Sequence, residues 1–347
     1  MFFFVFIARI HPGFSQESSC PIMYSNWMSE IEDSRLLKHL SIPGTHDSLA
    51  LYGGEQWQCQ TMSLIEQLNA GIRALDVRCR HVNNTFRIYH QFVDQKISFS
   101  EVLSTVHQFL KQNPNETILM RIKKEWMSEG NNRSFENTFH ENFFKKNSDL
   151  FWNPINNLSN VRLGDVRGKI VILQNFNPRF NFLDHIQMKI DKKYGISWSD
   201  DTDLQDDFTL LTTWALYPKW IRIKEHLLKA NYSLSEQKVS KFFVNFLSGS
   251  VGVKPFFVSS GNTKWGTDGN ARFFGLINMI KSQNKYSDFI KERCLLGGRY
   301  CLINFVGTNE LVYNFIKTEK INFIGIIYSD FPGCGLIKSI IDINYNV

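Results

Sequence analysis

Two histidines, one arginine and several carboxylates stand in this 347-residue sequence where a parallel α/β fold exposes its chemistry. His46 and Asp47 follow an apolar run at 40–42. Asp76 and Arg78 close a second run at 71–78, and His90 ends a third at 87–90. Lys123 closes the run 117–123 with Glu125 just beyond it, and Asp330 follows the run 323–328. Singly, each has a bland reading: a lone histidine usually satisfies core or surface contacts, and an arginine near an aspartate is usually a structural ion pair. Together they supply a base, an acid, a cation for a phosphate and partners to orient them.

The elements that must position these groups are short apolar strands with polar C-terminal ends. The five runs named above, with 169–173 and 242–246, make seven candidate strands. Between the third and fourth, Val102, Leu103, Val106, Phe109 and Leu110 share one face at helical spacing; Ser100 is the expected N-cap and Asn113-Pro114 the stop. Strands alternating with helices imply a parallel sheet, and their near-continuous apolar character means both faces are covered. A closed barrel satisfies that pattern and gathers the strand ends at one mouth. A doubly wound open sheet would also satisfy it, but no G-x-G-x-x-G or Walker loop follows the first strand. The polar stretch 177–207 reads as the longest loop, and no internal repeat or domain boundary is visible, so a single domain over 26–340 is expected after a leader or disordered segment at 1–25.

Composition narrows the rest. A hydrophobic content of 43%, with 21% charged residues and 30 phenylalanines, indicates a packed globular interior and excludes a disordered or fibrous chain. The net charge of +6 and pI near 8.9 favour an anionic partner, but the cations are scattered and match no nucleic-acid-binding motif. Six cysteines, at 20, 59, 79, 294, 301 and 334, form no C-x-x-C pair, so no structural metal is expected. The N-terminal apolar run is short for a signal sequence and lacks a basic start, which favours a cytoplasmic location with peripheral membrane contact over secretion. No apolar stretch approaches the ~20 residues needed to span a bilayer. Trp57 and the segment 214–220, which carries Trp214 and Trp220, offer aromatic groups suited to a lipid interface. The remaining histidines, 11, 39, 81, 107, 140, 185 and 226, read as structural or surface residues.

The segments SIPGTHDS (41–48), AGIRALDVRCR (70–80), IYH (88–90), ETILMRIKKEW (116–126) and LGDVRGKIVIL (163–173) strongly resemble the X domain of phosphatidylinositol-specific phospholipase C, in its single-domain form. The resemblance runs from about residue 26 to 335. It implies a distorted (β/α)8 barrel that cleaves phosphatidylinositol to diacylglycerol and an inositol 1,2-cyclic phosphate. It also implies a monomer that meets a membrane surface peripherally, uses no cofactor and binds no nucleic acid.

By resemblance, His46 is the general base, oriented by Asp330, and His90 is the general acid, partnered by Asp47. Arg78 holds the phosphate oxygens and is fixed by Asp76, while Lys123, Glu125, Asp206 and Phe208 line the head-group pocket. A guanidinium at position 78 takes the place of the carboxylate cluster that binds calcium in the large relatives, so a metal-independent enzyme is expected.

Two positions depart from the bacterial pattern. An inositol-contacting arginine falls near Gln174-Asn175 here, and a ring-stacking tyrosine aligns with Phe208, which leaves a phosphorylated or otherwise different head group open. Two other readings remain: a lipid-binding module without activity, which loss of either histidine would have favoured, and a metal-dependent barrel phosphodiesterase, which would want more carboxylates at the mouth.

Overall fold

In the computed structural model the described residues are 24–154, 160–176, 194–263, 271–272, 274–278, 286–295 and 300–345. Strands along the chain are β1 (Ile42–Thr45), β2 (Ala74–Val82), β3 (Thr85–His90), β4 (Val93–Ser98), β5 (Ile118–Lys124), β6 (Ile170–Asn175), β7 (Ile196–Ser197) and β8 (Thr202–Gln205). They continue with β9 (Thr209–Leu210), β10 (Phe242–Phe246), β11 (Ser250–Val251), β12 (Asn262–Thr263) and β13 (Ala271–Arg272). The last are β14 (Phe274–Asn278), β15 (Ile290–Leu295), β16 (Tyr300–Asn304) and β17 (Ile326–Ser329). Eight strands form a nearly closed parallel barrel in the order β7-β6-β5-β2-β1-β17-β10-β8. Its two end strands, β7 and β8, are consecutive in sequence and share no ladder, so the barrel is distorted there.

Burial explains why these segments become strands. Every residue of β1, β10 and β17 is buried, as are the first five of β5 and the first four of β6. Strands covered on both faces gain about 1.5–3 kcal/mol for each large apolar side chain buried. The cover includes α1 (Leu64–Ala70), α2 (Phe99–Gln112), α3 (Phe135–Phe139), α4 (Leu216–Ser235), α5 (Pro255–Ser260), α6 (Thr308–Thr318) and α7 (Cys334–Asp342). The five apolar residues read onto one helix face are all buried on α2.

Several expectations need correction. The strand expected at 40–42 runs over Ile42–Thr45, through Pro43 and Gly44. Pro43 is tolerated because the ladder to β2 begins only at Gly44↔Ala74, so the missing N–H breaks no β2 pairing. At Gly44 a Cβ would stand 2.9 Å from the Ala74 carbonyl oxygen, so only glycine lets β1 and β2 approach. The N-cap of α2 is Ser98 rather than Ser100, because Ser98 has Glu101 three residues on and the pair forms a reciprocal capping box.

The barrel has the eight strands that the resemblance implies, one more than the apolar runs mark, and the memberships differ. The polar stretch 177–207 was read as a loop, yet its described part, from 194 onward, carries both β7 and β8; 177–193 lie outside the described residues. The run 87–90 belongs to β3, which pairs antiparallel with β2 and β4 and stands outside the barrel. Of the expected leader at 1–25, residues 1–23 lie outside the described residues, as do His11, His185 and Cys20.

At the N-terminal end of the barrel, Arg73 is fully buried and its Nε donates to Glu116 Oε2 at 2.6 Å. Its Nη1 donates to the carbonyls of Leu68 and Ile72, and its Nη2 to those of Tyr24 and Ser25. This pair lies at the foot of β2 and β5, opposite the mouth, where buried charge serves stability.

Candidate active site

Strand register brings the first pair together. Thr45 aligns with Ser329 in the β1–β17 ladder, so the next residues, His46 and Asp330, emerge side by side. His46 Nδ1 lies 2.8 Å from Asp330 Oδ1, and Asp330 is buried. The Asp330 carbonyl accepts from Asn309 Nδ2 at 2.7 Å, and Gln60 Nε2 donates to the His46 carbonyl at 2.7 Å. An imidazole whose Nδ1–H is given to a carboxylate keeps its lone pair on Nε2. That nitrogen faces Arg78, whose Nη2 donates to it at 2.6 Å.

Arg78 is held by two buried carboxylates. Its Nε and Nη2 donate to Asp76 Oδ2 at 3.1 and 3.0 Å, and its Nη1 lies 3.4 Å from Asp47 Oδ2. Asp76 in turn takes Arg121 Nη1 on its other oxygen at 3.0 Å and the Asp47 backbone N–H on Oδ2 at 3.0 Å. The β2–β5 register, Asp76↔Arg121, makes that pairing inevitable. Burial alone would raise the Asp76 pKa, but the charges of Arg121 and Arg78 outweigh it and hold the carboxyl well below the usual range. For Asp47 the balance goes the other way: burial raises its pKa despite the opposing pull of Arg78, His90 and His46. Burial likewise works against the charge on Arg78, yet Asp76 and Asp47 prevail and keep the guanidinium firmly protonated.

His90 reaches the same mouth by another route. β2 is nine residues long and overshoots the barrel; β3 returns antiparallel to it and ends at His90. The ring Nδ1 is 2.7 Å from the Trp57 carbonyl oxygen and 3.4 Å from Asp47 Oδ2, and the Trp57 ring meets it edge-on at 5.4 Å. With Nδ1 committed to these acceptors, Nε2 is the nitrogen left for a substrate.

Beside this centre, Lys123 Nζ lies 3.5 Å from Glu125 Oε2, and Glu125 Oε1 accepts from the Gln91 backbone N–H at 3.0 Å. The β2–β5 register places Arg78 opposite Lys123, and burial, followed by the nearby Arg78 charge, lowers the lysine pKa. Asp206 and Phe208 follow β8. Asp206 is half-buried, close enough to the buried Lys219 to act on its amine, and the Phe208 ring is exposed. Gln174 takes the Tyr194 backbone N–H at 3.0 Å, while Asn175, its amide oxygen turned to Arg121, accepts from Nε at 2.9 Å and Nη2 at 2.6 Å. The histidines read as structural include His81, whose Nε2 is 2.9 Å from Thr138 Oγ1, and His226, 3.3 Å from Asp203.

Backbone strain gathers here. Nine described residues other than glycine have positive φ, and four of them, Asp47, Gln91, Trp126 and Phe331, directly follow His46, His90, Glu125 and Asp330. Such sparsely populated conformations persist where the surroundings fix them, and they mark functional sites.

Sequence reasoning missed several members of the centre. Arg121 could have been found, since it lies two residues before Lys123 on one strand and therefore faces the same side. Its guanidinium stacks over the Trp198 ring at 4.3 Å. Lys219, fully buried on α4, donates to the Phe246 carbonyl at 2.6 Å, and burial brings its pKa down to about 8. Cys59 lies buried beside His90, with Sγ 3.9 Å from Nδ1. The rings of the aromatic segment 214–220 pack inward instead of forming a lipid-facing surface: Trp220 is buried on α4 and Trp214 packs on Phe305 at 4.8 Å.

A parallel barrel whose mouth holds two carboxylate-tethered histidines around a part-buried guanidinium defines a barrel phosphodiesterase of the phospholipase C type. The family model "Phosphatidylinositol-specific phospholipase C, X domain" matches residues 34–176. Over 331 residues the chain is 33% identical to "1-phosphatidylinositol phosphodiesterase" of Listeria monocytogenes, covering 92% of this chain and 84% of that protein. A relative with the same description from Staphylococcus aureus is 28% identical over 255 residues, 67% of this chain and 77% of the relative. The solved phosphatidylinositol-specific phospholipase C from Listeria monocytogenes superposes with a TM-score of 0.63 at 28% identity, covering 93% of this chain and 99% of that one. The chain belongs to the phosphatidylinositol-specific phospholipase C X-domain family.

Proposed function

We propose that this protein cleaves phosphatidylinositol, or a closely related anionic phospholipid, to diacylglycerol and an inositol 1,2-cyclic phosphate without a catalytic metal. The observation that carries the reading is the Arg78 guanidinium, locked by Asp76 and Asp47 and flanked by both histidines. A fixed cation in a water-poor site stabilises the charge that builds on the phosphate oxygens.

In this reading His46 Nε2 takes the proton of the inositol 2-hydroxyl, whose oxygen attacks the phosphorus. Asp330 holds the imidazole in the required tautomer and stabilises the imidazolium that forms. Arg78 turns its Nη2 from His46 to the phosphate. His90, protonated against Asp47 and the Trp57 carbonyl, gives its Nε2 proton to the departing diacylglycerol oxygen. The neighbouring hydroxyl as nucleophile supplies the positioning that phosphoryl transfer demands. Lys123, Glu125, Asp206 and Phe208 face the head group.

The protein works as a monomer at a lipid surface. Phe92, Trp126, Met127, Phe208, Leu211 and Val251 are all exposed, and all lie in the connections that follow the C-terminal ends of barrel strands or of the β3 hairpin strand, Val251 as the last residue of the short β11. Met127 is 69% and Leu211 70% exposed, apolar groups suited to entering the headgroup region around the mouth.

The test is cleavage of phosphatidylinositol vesicles in chelator and then with added calcium, followed by phosphorus NMR. Cyclic product in chelator is expected. Product only after calcium addition would overturn the metal-independent mechanism, and none under either condition would overturn the substrate.

A further inference from the structure

The geometry points to an inhibitory zinc-binding site within the mouth, formed by His46, Cys59 and Asp330. One potential ligand atom from each of these three side chains lies within 4.8 Å of the other two, and Cys59 and Asp330 are buried. Imidazole, thiolate and carboxylate form a strong donor set for zinc, with bonds of about 2.0–2.3 Å that need ligand atoms roughly 3–4 Å apart. On binding the ion the three side chains would close from the present spacing, within 4.8 Å, to that one. Asp330 Oδ2, buried in the mouth, has no hydrogen-bond partner, so one carboxylate oxygen is left for a cation. Among the described residues this is the only such cluster.

The consequence for the reaction follows from the two nitrogens of His46, and it rests on the function proposed above. Nε2 points to Arg78, so a metal shared with Cys59 and Asp330 binds Nδ1, on the side of the ring away from the guanidinium. Binding there releases the thiol proton to solvent and moves the ring proton from Nδ1 to Nε2. The base then has no lone pair for the substrate hydroxyl, and Asp330 no longer orients it. The carboxylate and thiolate charges together match the charge of the ion.

Two readouts test the site. Cobalt(II) added to the metal-free full chain should give a thiolate-to-cobalt charge-transfer band that Cys59→Ser abolishes, whatever lipid the protein cleaves. In the vesicle assay zinc chloride should inhibit the wild type, chelator should restore it, and Cys59→Ser should raise the half-inhibiting zinc concentration by more than about tenfold. Losing even an outer partner of a zinc ligand costs that much. Each variant is compared with its own zinc-free rate. The absence of the cobalt band in the folded wild type would overturn the site, as would equal zinc sensitivity of Cys59→Ser and wild type. A cobalt band in the wild type that Cys59→Ser abolishes, with no cleavage of any phosphoinositide, would uphold the site and overturn only its proposed link to catalysis.

Discussion

Arg78 Nη2 sits 2.6 Å from His46 Nε2, the nitrogen that Asp330 leaves unprotonated. In the proposed reaction one guanidinium nitrogen thus occupies the place that the substrate hydroxyl takes. Its other anchors, Asp76 and Asp47, hold the charge in the mouth when that contact is broken.

Replacing either histidine should therefore disable the reaction. His46→Ala and His90→Ala are each expected to lower turnover of phosphatidylinositol vesicles by about 10²-fold or more, the range of general acid-base catalysis. Asp330→Asn should lower turnover while preserving the thermal unfolding midpoint more closely than Asp76→Asn does. A His46→Ala protein with near-normal turnover would remove the assigned base.

Asp76 makes a prediction about acid. Its pKa is held well below the ordinary ~3.9 by Arg121 and Arg78, against its burial. A carboxylate depressed in the folded state contributes stability that is fully present above the unfolded pKa and is lost as pH falls through the folded value. Asp76→Asn should be less stable than wild type at neutral pH, and the gap should narrow below about pH 4. Denaturant titrations at several pH values measure this; a gap that stays constant to low pH would refute it.

The strand ends were readable in sequence because an apolar run closing on a charged residue states both burial and exit. His46, Arg78, Lys123 and Asp330 were found that way. β7 and β8 left no such mark: Ile196–Ser197 is two residues long, and Thr202–Gln205 is mostly polar, so pairing with β6 and β10 makes them strands. The run ending at His90 looked like a barrel strand because antiparallel return over β2 changes no residue type. The Trp57 carbonyl that positions His90 is a main-chain group, which no side-chain pattern announces.

The foot of the barrel should respond differently from the mouth. Glu116 is the carboxylate paired with the fully buried Arg73, so Glu116→Ala leaves a guanidinium without its counter-charge. Breaking one side of a buried pair costs about 3–5 kcal/mol. The variant should unfold at clearly lower denaturant concentration, while its folded fraction keeps a near-normal KM for vesicles. A loss of turnover at unchanged stability would mean that Arg73 acts in the reaction.

Lipid attachment can be separated from chemistry at the rim. Phe92 and Trp126 are both exposed, with ring centroids 5.8 Å apart, and Phe92 also meets Trp57 at 5.0 Å. A ring inserted below the headgroups gains about the transfer energy of an apolar side chain, roughly 1.5–3 kcal/mol. The double variant Phe92→Ala/Trp126→Ala should bind phosphatidylinositol vesicles at least about tenfold more weakly. Its loss on a monomeric, water-soluble phosphoinositide analogue should be much smaller, because neither ring has a part in the proposed proton transfers or in holding the phosphate. Sedimentation with vesicles and turnover of the analogue give the two numbers. Equal losses in both would mean that these rings support the His90 hairpin, with the membrane contact made by the Phe208–Leu211 side of the mouth.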